Sequence, residues 1–191
     1  MTTGEHAKKE PSRASRLILS IVLIVAIVVG VTFLLRMFVF VPYEIPSGSM
    51  EDTIIPGDMV FSEKVSYYTR EPEYGDIVTF IDPEDPDRTL IKRVIATEGQ
   101  TVDLQDGFVY VDGVRLNEPY TDGKESWPLS PTMRGIEISF PYTVPEDYIW
   151  VMGDNRTSSQ DSRYFGAVPI SSVTGRAAII YWPIEHFGAL A

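Results

Sequence analysis

Residues 106–113 read DGFVYVDG, and this stretch decides the fold class. The apolar run Phe108 to Val111 lies between two Asp-Gly pairs, Asp106-Gly107 and Asp112-Gly113. Asp-Gly is a strong hairpin signal, because both central residues of the favoured two-residue turn need positive φ. The run therefore reads as a strand with a turn at each end. Upstream, Asp76 to Ile81 (DIVTFI) and Leu90 to Ala96 (LIKRVIA) have strand character, and downstream so do Tyr148 to Met152 (YIWVM) and Thr174 to Trp182 (TGRAAIIYW). Beyond Val41 no stretch keeps a helical period, so this part is expected to be mainly antiparallel β. Asp82 to Arg88 (DPEDPDR) is a charged, proline-broken loop, and Thr121 to Gly135 is a longer polar connection. There is no internal repeat.

The N-terminal part is of another kind. Leu17 to Leu35 is 19 residues without a charge, LILSIVLIVAIVVGVTFLL, apolar on every face. At the helical rise this roughly spans a bilayer core of about 30 Å. A cleaved signal sequence is the competing interpretation. Against it, the run is long and continues into Arg36, Met37 and Phe38 without a small-x-small site. Lys8, Lys9, Arg13 and Arg16 precede the span, while only Arg36 follows closely. Positive flanks stay in the cytoplasm. We therefore expect a basic cytoplasmic tail over 1–16, a transmembrane helix over 17–40, and an extracytoplasmic β domain over 41–191.

The formal charge of −11 is uneven: the chain carries +3 up to Val41 and −14 beyond it. So acidic a domain does not suit phosphate backbones, and nucleic acid is excluded as a partner. Cysteine is absent, which removes disulfides and thiol chemistry. The two histidines are His6, on the far side of the membrane, and His186, five residues from the end. A Ser-His-Asp triad would have to use His186. The G-x-S-x-G elbow, the S-x-x-K pattern and the Walker loop are missing. One histidine with carboxylates is a poor zinc set, and no metal or cofactor is expected.

A serine with a lysine base remains. A neutral amine can take a serine proton if burial lowers its pKa by about two or three units. Three lysines lie beyond the span: Lys64 beside Glu63, Lys124 in DGKES, and Lys92 in the most apolar surroundings. In a strand Lys92 shares a face with Leu90 and Val94, while Ile91 and Ile95 lie opposite with Arg93. A surface lysine at a strand edge is the plain alternative, and the acidic domain favours a charged lysine unless local burial wins. The serine is suggested by Ile45-Pro46-Ser47-Gly48-Ser49-Met50, where Pro46 fixes one backbone angle and Gly48 frees another. Such a turn can hold a nucleophile with backbone N–H groups directed at an oxyanion, although Pro-Ser-Gly-Ser also occurs in plain linkers. Ser49 lies eight residues past Val41, so its reach from the membrane is at most about 25–30 Å.

At these residues the sequence resembles the type I signal peptidases. IPSGSM is similar to that family's nucleophile box, YGDIVTF to the next box and LIKRVIATEG to its lysine box, and GDNRTSSQDSRYFG is the most specific match. The resemblance implies Ser49 as nucleophile, Lys92 as general base, and an oxyanion hole from the Ser47 hydroxyl and Ser49 N–H. It further implies that Ser159 hydrogen-bonds the lysine amine, and that Asp154, Asp161 and Arg163 form a supporting ion-pair cluster, with Arg156 in the same string. The implied fold is one of antiparallel sheets, with a catalytic core over 42–102 and about 146–191 and a β-rich insertion over about 103–145. The implied substrates are exported pre-proteins cut after small-x-small, often Ala-x-Ala, near the export translocon and the membrane lipid. By position, Ile45, Met50 and Ile91 are candidates to line the substrate pockets. Two departures stand out: Asp52 where the family often has proline, and Ala96-Thr97-Glu98-Gly99-Gln100 where it has Gly-x-Pro-Gly-Asp. The rival interpretations are a self-cleaving Ser-Lys repressor-type peptidase, which the membrane span opposes, and a non-catalytic membrane-anchored β module that binds export machinery.

Overall fold

The computed structural model describes residues 13–130 and 137–190. Lys8, Lys9, His6 and the end of the 121–135 connection lie outside them. The chain forms two units, Met1–Phe38 and Val39–Ala191. The first contains one helix, α1 (Arg13–Phe38), with leucines, isoleucines and valines exposed along it. Its stretch Arg13–Leu34 is long and apolar enough to cross a membrane. A helix apolar on every side finds a match in lipid rather than in water.

The second unit is built from antiparallel sheets. Its strands are β1 (Phe40–Glu44), β2 (Met59–Glu63), β3 (Ile77–Ile81), β4 (Thr89–Thr97), β5 (Thr101–Gln105), β6 (Phe108–Val111), β7 (Val114–Arg115), β8 (Tyr142–Thr143), β9 (Tyr148–Met152), β10 (Val168–Pro169), β11 (Val173–Trp182) and β12 (Gly188–Ala189). A short helix, α2 (Ser162–Phe165), follows β9. The larger sheet runs β1-β2-β11-β3-β4-β9-β10 with β12 beside β11, and the smaller runs β7-β6-β5-β8. The two Asp-Gly pairs turn as their chemistry demands, with φ of 50° and 81° at Asp106 and Gly107, and 52° and 77° at Asp112 and Gly113. The strands at 76–81, 90–96, 108–111, 148–152 and 174–182 form where their patterns predict, within a residue at the ends. β1, β2 and the two-residue strands carried no clear signal, because prolines, charges or sheer shortness obscure their period, whereas β5 alternates, with Val102 and Leu104 buried on one face.

The larger sheet is covered on both faces, which is why β3 (IVTFI) shows no alternation. Ile77 packs with Ile45, Met50, Ile54, Val60 and Ile180, whereas Val78 and Phe80 pack with Val94, Ile149, Val151 and Phe165. A third cluster, around Trp150, Ile95, Val102 and Val109, joins the two sheets. β4 pairs with β3 over Thr89 to Arg93 and with β9 only from Arg93 onward. Its β9-side edge is therefore unpaired over Thr89 to Lys92 among the described residues, just where Lys92 lies.

Candidate active site

The turn that carries Ser49 is anchored at both ends. Ile45 N donates to Asp58 O and Gly57 N to Ile45 O, each at 2.9 Å, while Ile54 N donates to Met50 O at 2.9 Å. Ile45, Met50 and Ile54 sink into the core, and the turn 46–49 projects between them. Gly153 lies so close that a Cβ there would meet Ser49 O at 2.4 Å and Ser159 Oγ at 2.2 Å, so only glycine fits. Asn155 N donates to Ser49 O at 3.1 Å, and Asn155 Nδ2 to Gly48 O at 2.9 Å. Among the described residues the Ser49 N–H meets no acceptor. Ser47 is exposed beside it.

β4 supplies the lysine. Lys92 is 3% exposed, which removes the surface-lysine alternative, and its Nζ donates to Ser49 Oγ and to Ile91 O, each at 2.8 Å. Burial pulls its pKa down from 10.5 to about 8, against the opposing charges of Asp161 and Asp82. No carboxylate stands within ion-pair distance of the amine among the described residues. At the same separation the neutral amine can accept the serine proton.

Behind the pair lies a cluster of buried charges. Arg93 holds Asp154 with two bonds, Nε to Oδ1 at 2.9 Å and Nη2 to Oδ2 at 2.8 Å, and Thr53 Oγ1 donates to the same carboxylate. Asp161 accepts from Arg163 Nε and Nη2, both at 2.9 Å, and from Gly153 N at 3.1 Å. Burial opposes the Asp161 charge, but Arg163 outweighs it and holds the carboxyl below its ordinary range. Arg156 donates to Gly153 O and pairs with Glu118. Asp161 thus pairs with Arg163 and Asp154 with Arg93, two separate ion pairs where the resemblance implied one cluster of Asp154, Asp161 and Arg163. Among the described residues the buried Ser159 Oγ has no partner of hydrogen-bonding geometry, since Lys92 turns to Ser49 and Ile91, yet it stands near enough to Asp161 to favour that carboxylate. Of the three pocket candidates, Met50 is wholly enclosed, Ile45 nearly so, and Ile91 is half-buried.

His186 is away from this site, with Nδ1 2.8 Å from Asp58 Oδ1. Lys124 pairs with Asp52 at 3.0 Å. Among the described residues no group of three or more His, Cys, Asp or Glu side chains is arranged to hold a metal ion. Sequence reasoning missed Arg93, Thr53 and Glu118 as members of the site. Arg93 had a signal, since an arginine in so apolar a strand needs a buried carboxylate. Glu118 had none, because its partner is 38 residues away.

A family model for signal peptidase, peptidase S26, matches residues 16–182. A probable signal peptidase I-1 of Synechocystis sp. is 40% identical over 175 residues, covering 88% of this chain and 83% of that protein. Thylakoidal processing peptidase 1, chloroplastic, of Arabidopsis thaliana is 38% identical over 165 residues, covering 81% of this chain and 46% of that longer protein. Signal peptidase I of Mycobacterium tuberculosis is 33% identical over 231 residues, covering 95% of this chain and 78% of that protein. With a match over nearly its whole length, the chain belongs to the signal peptidase family, peptidase S26.

Proposed function

We propose that this chain is a membrane-bound serine endopeptidase that removes signal peptides from exported pre-proteins, cutting after Ala-x-Ala with a Ser49-Lys92 dyad. The observation that carries this reading is the 2.8 Å contact between Lys92 Nζ and Ser49 Oγ, made by a buried lysine. The pre-protein's cleavage segment adds as a strand along the open edge of β4 at Thr89 to Lys92, a mode in which backbone bonds give affinity and pockets give specificity. Half-buried Ile91 lines the pocket for a small side chain, backed by the enclosed Ile45 and Met50. Neutral Lys92 takes the Ser49 proton as Oγ attacks the scissile carbonyl. The oxyanion is met by the Ser49 N–H and the Ser47 hydroxyl. The Lys92 ammonium then gives its proton to the leaving amine, and a water deprotonated by Lys92 releases the acyl group.

α1 anchors the domain in the cytoplasmic membrane, with the tail inside and the domain outside. Trp182, Ile184 and Phe187 are exposed apolar side chains close together in sequence, suited to lipid contact beside the export translocon. The test is cleavage of an Ala-x-Ala pre-protein by the detergent-solubilised full chain, with the new N-terminus identified by mass spectrometry. A cut after the second alanine, lost in Ser49→Ala, is expected. A cut elsewhere, or one that persists in Ser49→Ala, would contradict the assignment.

A further inference from the structure

The buried charge cluster contains three arginines, Arg93, Arg156 and Arg163, each with a side chain no more than 3% exposed. Asp154 and Asp161 are carboxylate partners of Arg93 and Arg163. Glu118, the partner of Arg156, comes from the polar segment 117–127 that follows β7. Glu118 Oε2 accepts from Arg156 Nη1 at 2.9 Å and Oε1 accepts from Nη2 at 2.5 Å, while Ser126 Oγ accepts from Nη1 at 2.7 Å. Between them, Tyr120 lays its ring 4.1 Å from the Arg93 guanidinium and 5.9 Å from that of Arg156, and its hydroxyl donates to Glu118 Oε1 at 2.9 Å. Trp127 O accepts from Arg163 Nη1 at 3.5 Å. One segment thus touches all three arginines. Its own shape is set by the turn at Pro119–Thr121 and by Ser126 N, which donates to Gly107 O at 2.8 Å.

From Arg156 the connection reaches the nucleophile. Arg156 Nε donates to Gly153 O at 3.1 Å. Its neighbour Asn155 holds the carbonyls of Gly48 and Ser49, and Gly153 is in contact range of Ser49 O. A second link ends three residues past Ser49, where Lys124 pairs with Asp52, the position at which the sequence departs from proline.

We infer that segment 117–127 is a strap that positions the nucleophile turn, with Glu118 acting as a positioning residue through Arg156. The inference rests on the Ser49-Lys92 reading. Removing the Glu118 charge leaves Arg156 buried and unpaired, and the guanidinium moves to find water or another acceptor. The Gly153–Asn155 backbone follows it, and Ser49 loses its alignment with Lys92 and with the scissile carbonyl. Alignment is felt in the transition state, so kcat falls while KM holds. A segment that served only to stabilise the fold would lower melting temperature and leave the kcat of the folded enzyme alone.

The experiment compares full-length, detergent-solubilised wild type, Ser49→Ala, Glu118→Gln, Arg156→Gln, Ser126→Ala and the Glu118→Gln/Arg156→Gln double variant on a fluorogenic Ala-x-Ala peptide. Glu118→Gln is expected to lower kcat about 10- to 100-fold with KM within about twofold. The double variant is expected to be no slower than the worse single one, because both break one connection. Ser126→Ala, which removes one hydrogen bond, is expected to lower kcat by about threefold or more, and it carries the test alone if Glu118→Gln does not fold. Wild-type kcat in folded Glu118→Gln, a loss confined to KM, multiplying losses in the double variant, or unchanged kcat in Ser126→Ala overturns the strap. If those results arise while wild type cuts and Ser49→Ala does not, only the strap falls. If wild type is inert, or Ser49→Ala still cuts, the Ser-Lys reading falls and takes the strap with it.

Discussion

Lys92 and Arg93 are neighbours on β4, each 3% exposed, and they solve burial in opposite ways. Arg93 points to a carboxylate and holds it with two bonds; Lys92 points to a serine hydroxyl and a carbonyl. Arginine stays protonated at any working pH, so it must be paired when buried, whereas lysine can shed its proton. The strand's alternation sends one cation to each face. On one face the charge is kept and neutralised, and on the other desolvation outweighs the more distant carboxylates and yields an amine with a pKa of about 8. Burial alone therefore does not make a base. The decisive factor is whether a carboxylate stands within reach.

The comparison can be broken at either residue. The largest effect is expected for Lys92→Ala, which removes the proposed base: kcat/KM should drop about 10⁴-fold or more, with the fold retained by circular dichroism. Lys92→Arg should be as inactive, since a guanidinium cannot accept the proton. On the other face, Asp154→Asn leaves Arg93 buried without its partner charge, at a cost of about 3–5 kcal/mol in denaturant unfolding. Lys92→Met should do the reverse of Asp154→Asn. The folded pKa of about 8 lies below the ordinary 10.5, so between those values the unfolded chain binds a proton the folded chain lacks, and stability rises with pH. Below pH 8 the folded chain bears the whole cost of a buried ammonium, on the order of 3 kcal/mol. Lys92→Met is thus expected to melt above wild type at pH 7, with the gap closing from about pH 8 to 10.5. The smallest effect belongs to His186→Ala, which breaks the pair with Asp58 at the partly exposed end of the chain; stability should change by about 1 kcal/mol or less and kcat not at all.

Much of this arrangement was legible in the sequence, for reasons that show where legibility ends. The Asp-Gly turns announced themselves because their chemistry is local. LIKRVIA was readable because a lysine within an apolar strand is anomalous on its own. The span 17–35 was readable because a run of 19 residues without a charge stands out by itself. β1 and β2 were not, since Pro42 and the charged Glu44 and Glu63 hide their period, and their pairing is a matter of distant partners. Glu118, Tyr120 and Ser126 sit in a polar stretch that looks like any surface loop, and only the fold brings them onto Arg93 and Arg156. The assignment of Asp154 to Arg93 was equally out of reach, being a choice among several buried arginines that geometry alone makes.

The most direct test of the account is the pH dependence of kcat/KM for wild type on an Ala-x-Ala peptide, from about pH 6 to 10, with Ser49→Ala and Lys92→Ala alongside. The account predicts activity that rises with pH through an inflection near 8 and is absent from both variants. Activity retained by folded Lys92→Ala, or activity still climbing at pH 10 with no inflection near 8, as a lysine at its ordinary value of 10.5 would give, would contradict it.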